Sequence, residues 1–163
     1  TPAKRSSRWS TELGALAGAF PPLIGWSAAE AGVSALGWVL LGILVFWQIP
    51  HFMAIAWTYR HDYAAVDFPM LSVRDENGGW VAGWSFINAL LLLAVSVVPA
   101  FLGLTSNYYL IVAGLTGLWF LWRAALFLRP VGRDQAARKL FYASIIYLPI
   151  TLFALVADRV IFF

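Results

Sequence analysis

Five apolar runs, each about twenty residues long, recur along this chain and constrain its fold more than any other feature. A helix rises about 1.5 Å per residue, so about twenty apolar residues cross about 30 Å of hydrocarbon. Hydropathy places the runs at about 11–28, 34–57, 80–104, 108–128 and 140–160. The expected fold class is an all-α integral membrane protein, a bundle of five transmembrane helices. The composition agrees. Of the 163 residues, 61% are hydrophobic and 12% charged, where soluble domains carry about 25% charged residues. The absence of Cys excludes disulfides and thiolate metal sites. A single membrane domain over 1–163 is expected, with one long polar loop at 58–79, and no nucleic-acid partner.

The charges orient the bundle. Residues 30–33 and Thr105–Asn107 connect spans without Lys or Arg. Ten of the eleven basic residues fall on the opposite side. They are Lys4, Arg5 and Arg8 before the first span, Arg60 and Arg74 after the second, and Arg123, Arg129, Arg133, Arg138 and Lys139 around the fourth connection. Only Arg159 lies on the other side. Positive residues stay in the cytoplasm, so the charged loops are expected there and the chain ends outside. The opening TPAKR enters in mid-pattern, as expected of a piece of a longer chain. In the first span, Gly14, Gly18, Pro21, Pro22 and Gly25 fit two readings: close helix packing, or a kinked helix lining a cavity.

Chemistry concentrates in WQIPHFMAIAWTYRHDYAAVDFPML, Trp47 to Leu71. Its second half gathers Arg60, His61, Asp62 and Asp67. Carboxylates at a membrane surface are either solvated loop residues or hard-cation ligands. The first reading is the default for Asp75 and Glu76, in the turn-like DENGG. The second suits Asp62 with Arg60 two residues before it. Mg²⁺ takes oxygen ligands and shares them with substrate phosphates, while a guanidinium binds phosphate oxygens. One Asp is an incomplete Mg²⁺ site, so partners are expected elsewhere. Gln48 and His51 sit at membrane depth, where polar groups are candidates for function. On an unbroken helix His51 would lie about 14 Å from Arg60 along the axis. Such an imidazole either bonds a neighbouring helix or serves a substrate, as a haem ligand or by orienting a polar edge. The many Trp and Tyr near span ends suit an interfacial belt, and some of them a pocket wall.

Four segments carry a resemblance: KRSS, GAFPPLIGW, FWQIPHFMAIAWTYRHDYAAVDFPML and RKLFYASIIYLP. In this order they resemble the protoheme IX farnesyltransferases, the haem branch of the UbiA superfamily of intramembrane prenyltransferases. WQIPHF in particular is similar to the haem branch. The resemblance covers nearly the whole chain. It implies a nine-helix bundle whose last five helices these would be, with roughly 130 residues before Thr1 at about 20 per span plus loops.

The implied activity is farnesyl transfer from farnesyl diphosphate to a vinyl group of haem b, giving haem O for terminal oxidases. The active-site loops would face the cytoplasm of a bacterial cell and hold Mg²⁺. Asp62 would bind the metal, with Asp67 as the second candidate. Arg60 would contact diphosphate, with Lys4, Arg5 and Arg138 as further candidates. His51 would bind or orient haem, beside Gln48 and Tyr63. The other Asp-rich loop would precede Thr1. The lipid bilayer surrounds the bundle, and terminal-oxidase assembly or a haem A synthase is the implied partner. A sister prenyltransferase acting on a quinone or chlorin would share the Asp chemistry. A transporter or scaffold would need none of it, but would show an inverted repeat or a broken-helix ion site.

Overall fold

The computed structural model describes residues 10–29, 32–65 and 71–162, and every described element is helical. Helix α1 spans Ser10–Ala29, α2 Ala35–Thr58, α3 Arg60–Ala65 and α4 Leu71–Arg74. Then come α5 (Gly79–Phe101), α6 (Asn107–Phe127) and α7 (Arg133–Phe162). Helices α2, α5, α6 and α7 are long and apolar enough to cross a membrane. Helix α1 is also long, at 20 residues, but with its Gly, Ser and paired Pro it is not among those four. The fold is an integral membrane helical bundle.

Local chemistry sets the helix ends. Ser34 and Ser106 precede α2 and α6 in extended conformation, and their hydroxyls accept from the N–H of Gly37 and Tyr108. Asp158, fully buried on α7, accepts from the backbone N–H and the hydroxyl of Ser106. That contact ties the start of α6 to the far end of α7. Gly78 precedes α5 with φ +68°, and a Cβ there would lie 2.5 Å from the Trp57 ring and 2.9 Å from Arg133 Cδ. Only glycine meets both demands at low cost. Asp75 departs from expectation. It is buried, and its carboxylate accepts from the Val81 N–H at 2.9 Å, so it caps α5 instead of standing in solvent. Glu76 is exposed.

Helix α2 is the hub. It packs on α1, α5 and α7, while α6 completes the bundle against α5 and α7. Lipid is as apolar as Leu, so close packing and interhelical hydrogen bonds hold such helices together. Both are present. Gly117 of α6 accommodates Leu93 of α5, and Gly18 of α1 lies against the Gln48 amide of α2. Tyr147 of α7 is buried, stacks on Phe120 of α6 at 5.3 Å and hydrogen-bonds Ser96 of α5 at 2.7 Å. Outward faces stay apolar: Ile24, Leu115, Phe153, Val156 and Val160 are all exposed. Of the two readings of α1, Gly18 fits close packing. Gly14 and Gly25 face open space.

Candidate active site

Two polar clusters lie on the hub helix, one inside the bundle and one at its end. The inner cluster joins α2 to α7. Trp47 and His51 are one turn apart and so share a face. Trp47 Nε1 donates to the Ser144 carbonyl at 2.8 Å, and His51 Nδ1 lies 2.7 Å from Ser144 Oγ. The Ser144 hydroxyl itself donates to the Phe141 carbonyl at 2.6 Å. A hydroxyl has one proton, and a carbonyl can only accept. Ser144 Oγ therefore accepts from His51, which puts the proton of the neutral imidazole on Nδ1. Nε2 is left with a bare lone pair, able to bind iron or receive a hydrogen bond. Aromatic rings fix the imidazole plane: Trp47 stacks on it at 4.9 Å, Phe141 lies at 5.2 Å, and Phe52 meets it edge-on at 5.4 Å. His51 is half-buried, and Gln48 is buried one turn nearer the N-terminus of α2.

The outer cluster lies about 9 Å further along α2, at six residues and 1.5 Å per residue. Helix α2 does not run unbroken to Arg60. It stops at Thr58, Tyr59 caps it with φ −103° and ψ 19°, and Arg60 opens the separate α3. The break turns the Arg60 guanidinium back onto the bundle. It lies over the Trp57 ring at 4.2 Å, donates to the Trp57 carbonyl at 2.9 Å and pairs with Asp134 at 3.0 Å. Asp134 also accepts from Trp57 Nε1 at 2.8 Å. Arg133 approaches the same ring at 5.9 Å while donating to the carbonyls of Phe127 and Leu128. A buried indole thus carries two guanidiniums and an exposed carboxylate.

Asp62 is exposed, and no described residue bonds its carboxylate. Side chains two apart on a helix do not face each other, so Arg60 and Asp62 do not form one clamp. Tyr63 is half-buried on α3. Arg138 is exposed one turn after Asp134. Lys4, Arg5 and Asp67 lie outside the described residues. Among the described residues, no three metal-ligating side chains converge. The donor set still fits Mg²⁺ in part. Mg²⁺ is commonly held by one or two carboxylates plus substrate phosphates, and Asp62 offers one unshielded carboxylate.

The sequence does not single out Ser144 or Asp134, and it offers Trp57 only as one of several aromatics near span ends. Ser144 gives no signal, because one Ser in an apolar span carries none. Asp134 left a faint one. It is the only acid in the basic stretch from Arg129 to Lys139.

An all-helical membrane bundle with an aromatic-lined histidine on its hub helix and charged groups at that helix's end defines a class: polytopic membrane proteins with polar clusters at two levels of the bundle. The chain belongs to the UbiA prenyltransferase family, whose pattern matches residues 1–146. It is 67% identical over 159 residues to the protoheme IX farnesyltransferase of Opitutus terrae, covering 98% of this chain and 54% of that protein. The protoheme IX farnesyltransferase of Solibacter usitatus is 44% identical over 162 residues, with the same coverages of 98% and 54%. The mitochondrial protoheme IX farnesyltransferase of Arabidopsis thaliana is 38% identical over 160 residues, covering 98% of this chain and 37% of that protein. The chain spans about half the length of the bacterial relatives it matches. No solved structure matches it significantly.

Proposed function

We propose that the protein containing this chain transfers a farnesyl group from farnesyl diphosphate to a vinyl group of haem b, forming haem O. The observation that carries this reading is the 67% identity to a protoheme IX farnesyltransferase across 98% of the chain. In the proposed reaction the allylic C–O bond breaks and its electron pair leaves with diphosphate. The vinyl π pair forms the new C–C bond. Water adds to the resulting cation and loses a proton, giving the hydroxyethylfarnesyl group. Mg²⁺ would neutralise charge on the departing diphosphate.

Each cluster has a part in this reading. Asp62 would hold Mg²⁺, with Asp67 as the second candidate. Arg60 would contact diphosphate by exchanging Asp134 for phosphate oxygens, and Lys4, Arg5 and Arg138 would add positive charge. His51, set by Ser144 and walled by Trp47 and Phe141, would present Nε2 to haem, beside Gln48 and towards Tyr63. The farnesyl tail would lie in the apolar bundle interior. The loops would face the cytoplasm of a bacterial cell, in keeping with the side that carries most Lys and Arg. Haem O would pass to terminal-oxidase assembly or to a haem A synthase.

The test uses the full-length enzyme in membranes with farnesyl diphosphate and Mg²⁺. Haem b is offered in one arm and 4-hydroxybenzoate in another, and products are read by mass spectrometry. Haem O from the first arm alone is expected. Prenylation of the benzoate instead would replace the haem assignment with a quinone one.

A further inference from the structure

A second cationic pocket lies apart from both clusters. It measures about 220 Å³ and is lined by Arg123, Arg129 and Lys139, with Gln135 and the apolar Leu126 and Val131 beside them. It sits between the end of α6 and the start of α7. Three cations face one small space, and among the described residues no acidic side chain lines it. The acid nearest in sequence is committed elsewhere: Asp134 bonds Arg60 and Trp57. Helical spacing explains the separation. Asp134 and Arg138 are four apart and share one face of α7, while Gln135 and Lys139 share another, about 100° round. Arg123 is braced against the rings of Trp122 at 4.6 Å and Trp119 at 5.9 Å, so its guanidinium is partly pre-ordered.

We propose that this pocket binds a phosphate group at the membrane surface. Like charges converging without a counter-ion repel one another, and an anion relieves that repulsion. Guanidiniums match phosphate oxygens in planar, two-point geometry. At about 30 Å³ per water in the liquid, the space suits an anion of several heavy atoms. The edge of the pocket carries an exposed apolar side chain: Val131 is 90% exposed. Basic pockets between membrane helices on the cytoplasmic side suit phospholipid headgroups. A soluble phosphate offers the same chemistry, and the experiment separates the two sources.

The full-length enzyme is purified in neutral detergent and studied by native mass spectrometry. Phosphatidylglycerol, phosphatidylcholine and inorganic phosphate are titrated separately. Arg129→Gln/Lys139→Gln is compared with wild type and with Arg74→Gln, a surface cation outside the pocket. At about one tenfold step in affinity per 1.4 kcal/mol and about 1 kcal/mol per basic residue near anionic lipid, the double variant should bind phosphatidylglycerol about thirtyfold more weakly. Arg74→Gln should keep wild-type binding. Preference for phosphatidylglycerol over phosphatidylcholine, lost in the double variant, assigns the site to a lipid headgroup. Phosphate binding lost in the double variant, without lipid preference, assigns it to a soluble phosphate. Equal binding of every probe by wild type and double variant would overturn the proposal. If the double variant does not fold, Lys139→Gln alone is read the same way, with about a fivefold loss expected.

Discussion

His51 Nδ1 lies 2.7 Å from Ser144 Oγ, whose own proton is directed to the Phe141 carbonyl at 2.6 Å. The pair joins α2 to α7 and decides which imidazole nitrogen is free. Removing the Ser144 hydroxyl frees the ring to change tautomer and to tilt. Interhelical hydrogen bonds in membranes average about 0.6 kcal/mol, so Ser144→Ala should cost little stability. It should weaken haem binding by about five- to tenfold, since a net hydrogen bond is worth about 1 kcal/mol. Ser144→Thr, which keeps the hydroxyl, should restore most of the loss. A Soret titration of the full-length enzyme measures both variants. His51→Ala should abolish haem binding; unchanged binding and turnover would return His51 to a purely structural part.

Asp62 stands exposed on α3, and no described residue bonds its carboxylate. Asp62→Asn should therefore leave the thermal unfolding temperature unchanged. It should abolish Mg²⁺-dependent haem O formation in the full-length enzyme. Turnover near wild type across a Mg²⁺ titration would sink the metal assignment.

The Arg60–Asp134 pair is 3.0 Å long, but its side chains are 22% and 62% exposed. Solvent screens such pairs, and exposed ion pairs are worth about 0.2–1 kcal/mol. A double-mutant cycle with Arg60→Gln and Asp134→Asn, read by detergent unfolding, should give a coupling in that range. The kinetic signature should be larger. Asp134→Asn releases Arg60 for diphosphate, so KM for farnesyl diphosphate should fall or hold, while Arg60→Gln should raise it at least tenfold.

Gly78 combines φ +68° with Trp57 ring carbons 2.5 Å from where a Cβ would sit. Gly78→Ala forces a strained backbone and displaces Trp57, which holds both Arg60 and Asp134. Strain at such a position costs about 1–3 kcal/mol and overpacking a similar amount, so the unfolding temperature should drop by several degrees. Activity should fall with it, because the same indole supports the outer cluster. Trp57→Phe keeps the ring under Arg60 but deletes the donor to Asp134, and should show a milder loss in both measurements.

Much of this protein was legible in one dimension. Long apolar runs separated by charged or turn-forming connections admit few structures besides a membrane helix bundle, because hydrocarbon leaves each backbone group no other partner. His51 and Gln48 stood out because a polar group is costly at such depth. Asp75 was misjudged as a solvated loop residue. Nothing in DENGG foretells a carboxylate folded under the start of α5, because its partner, the Val81 N–H, is offered only once that helix forms.

The sequence by itself determined the helical membrane architecture, and it marked the stretch from Trp47 to Leu71 as the place to look for chemistry. Only the tertiary structure decided the pairings. Ser144 is 93 residues from His51, and Asp134 is 74 residues from Arg60. Local pattern carries no information about contacts at such separation. They are set by which faces of α2 and α7 meet when the bundle closes. The same closure, with the break after Thr58, turned Arg60 inward and left Asp62 outside. Two residues that look like one motif in the chain therefore stand in different surroundings in the fold.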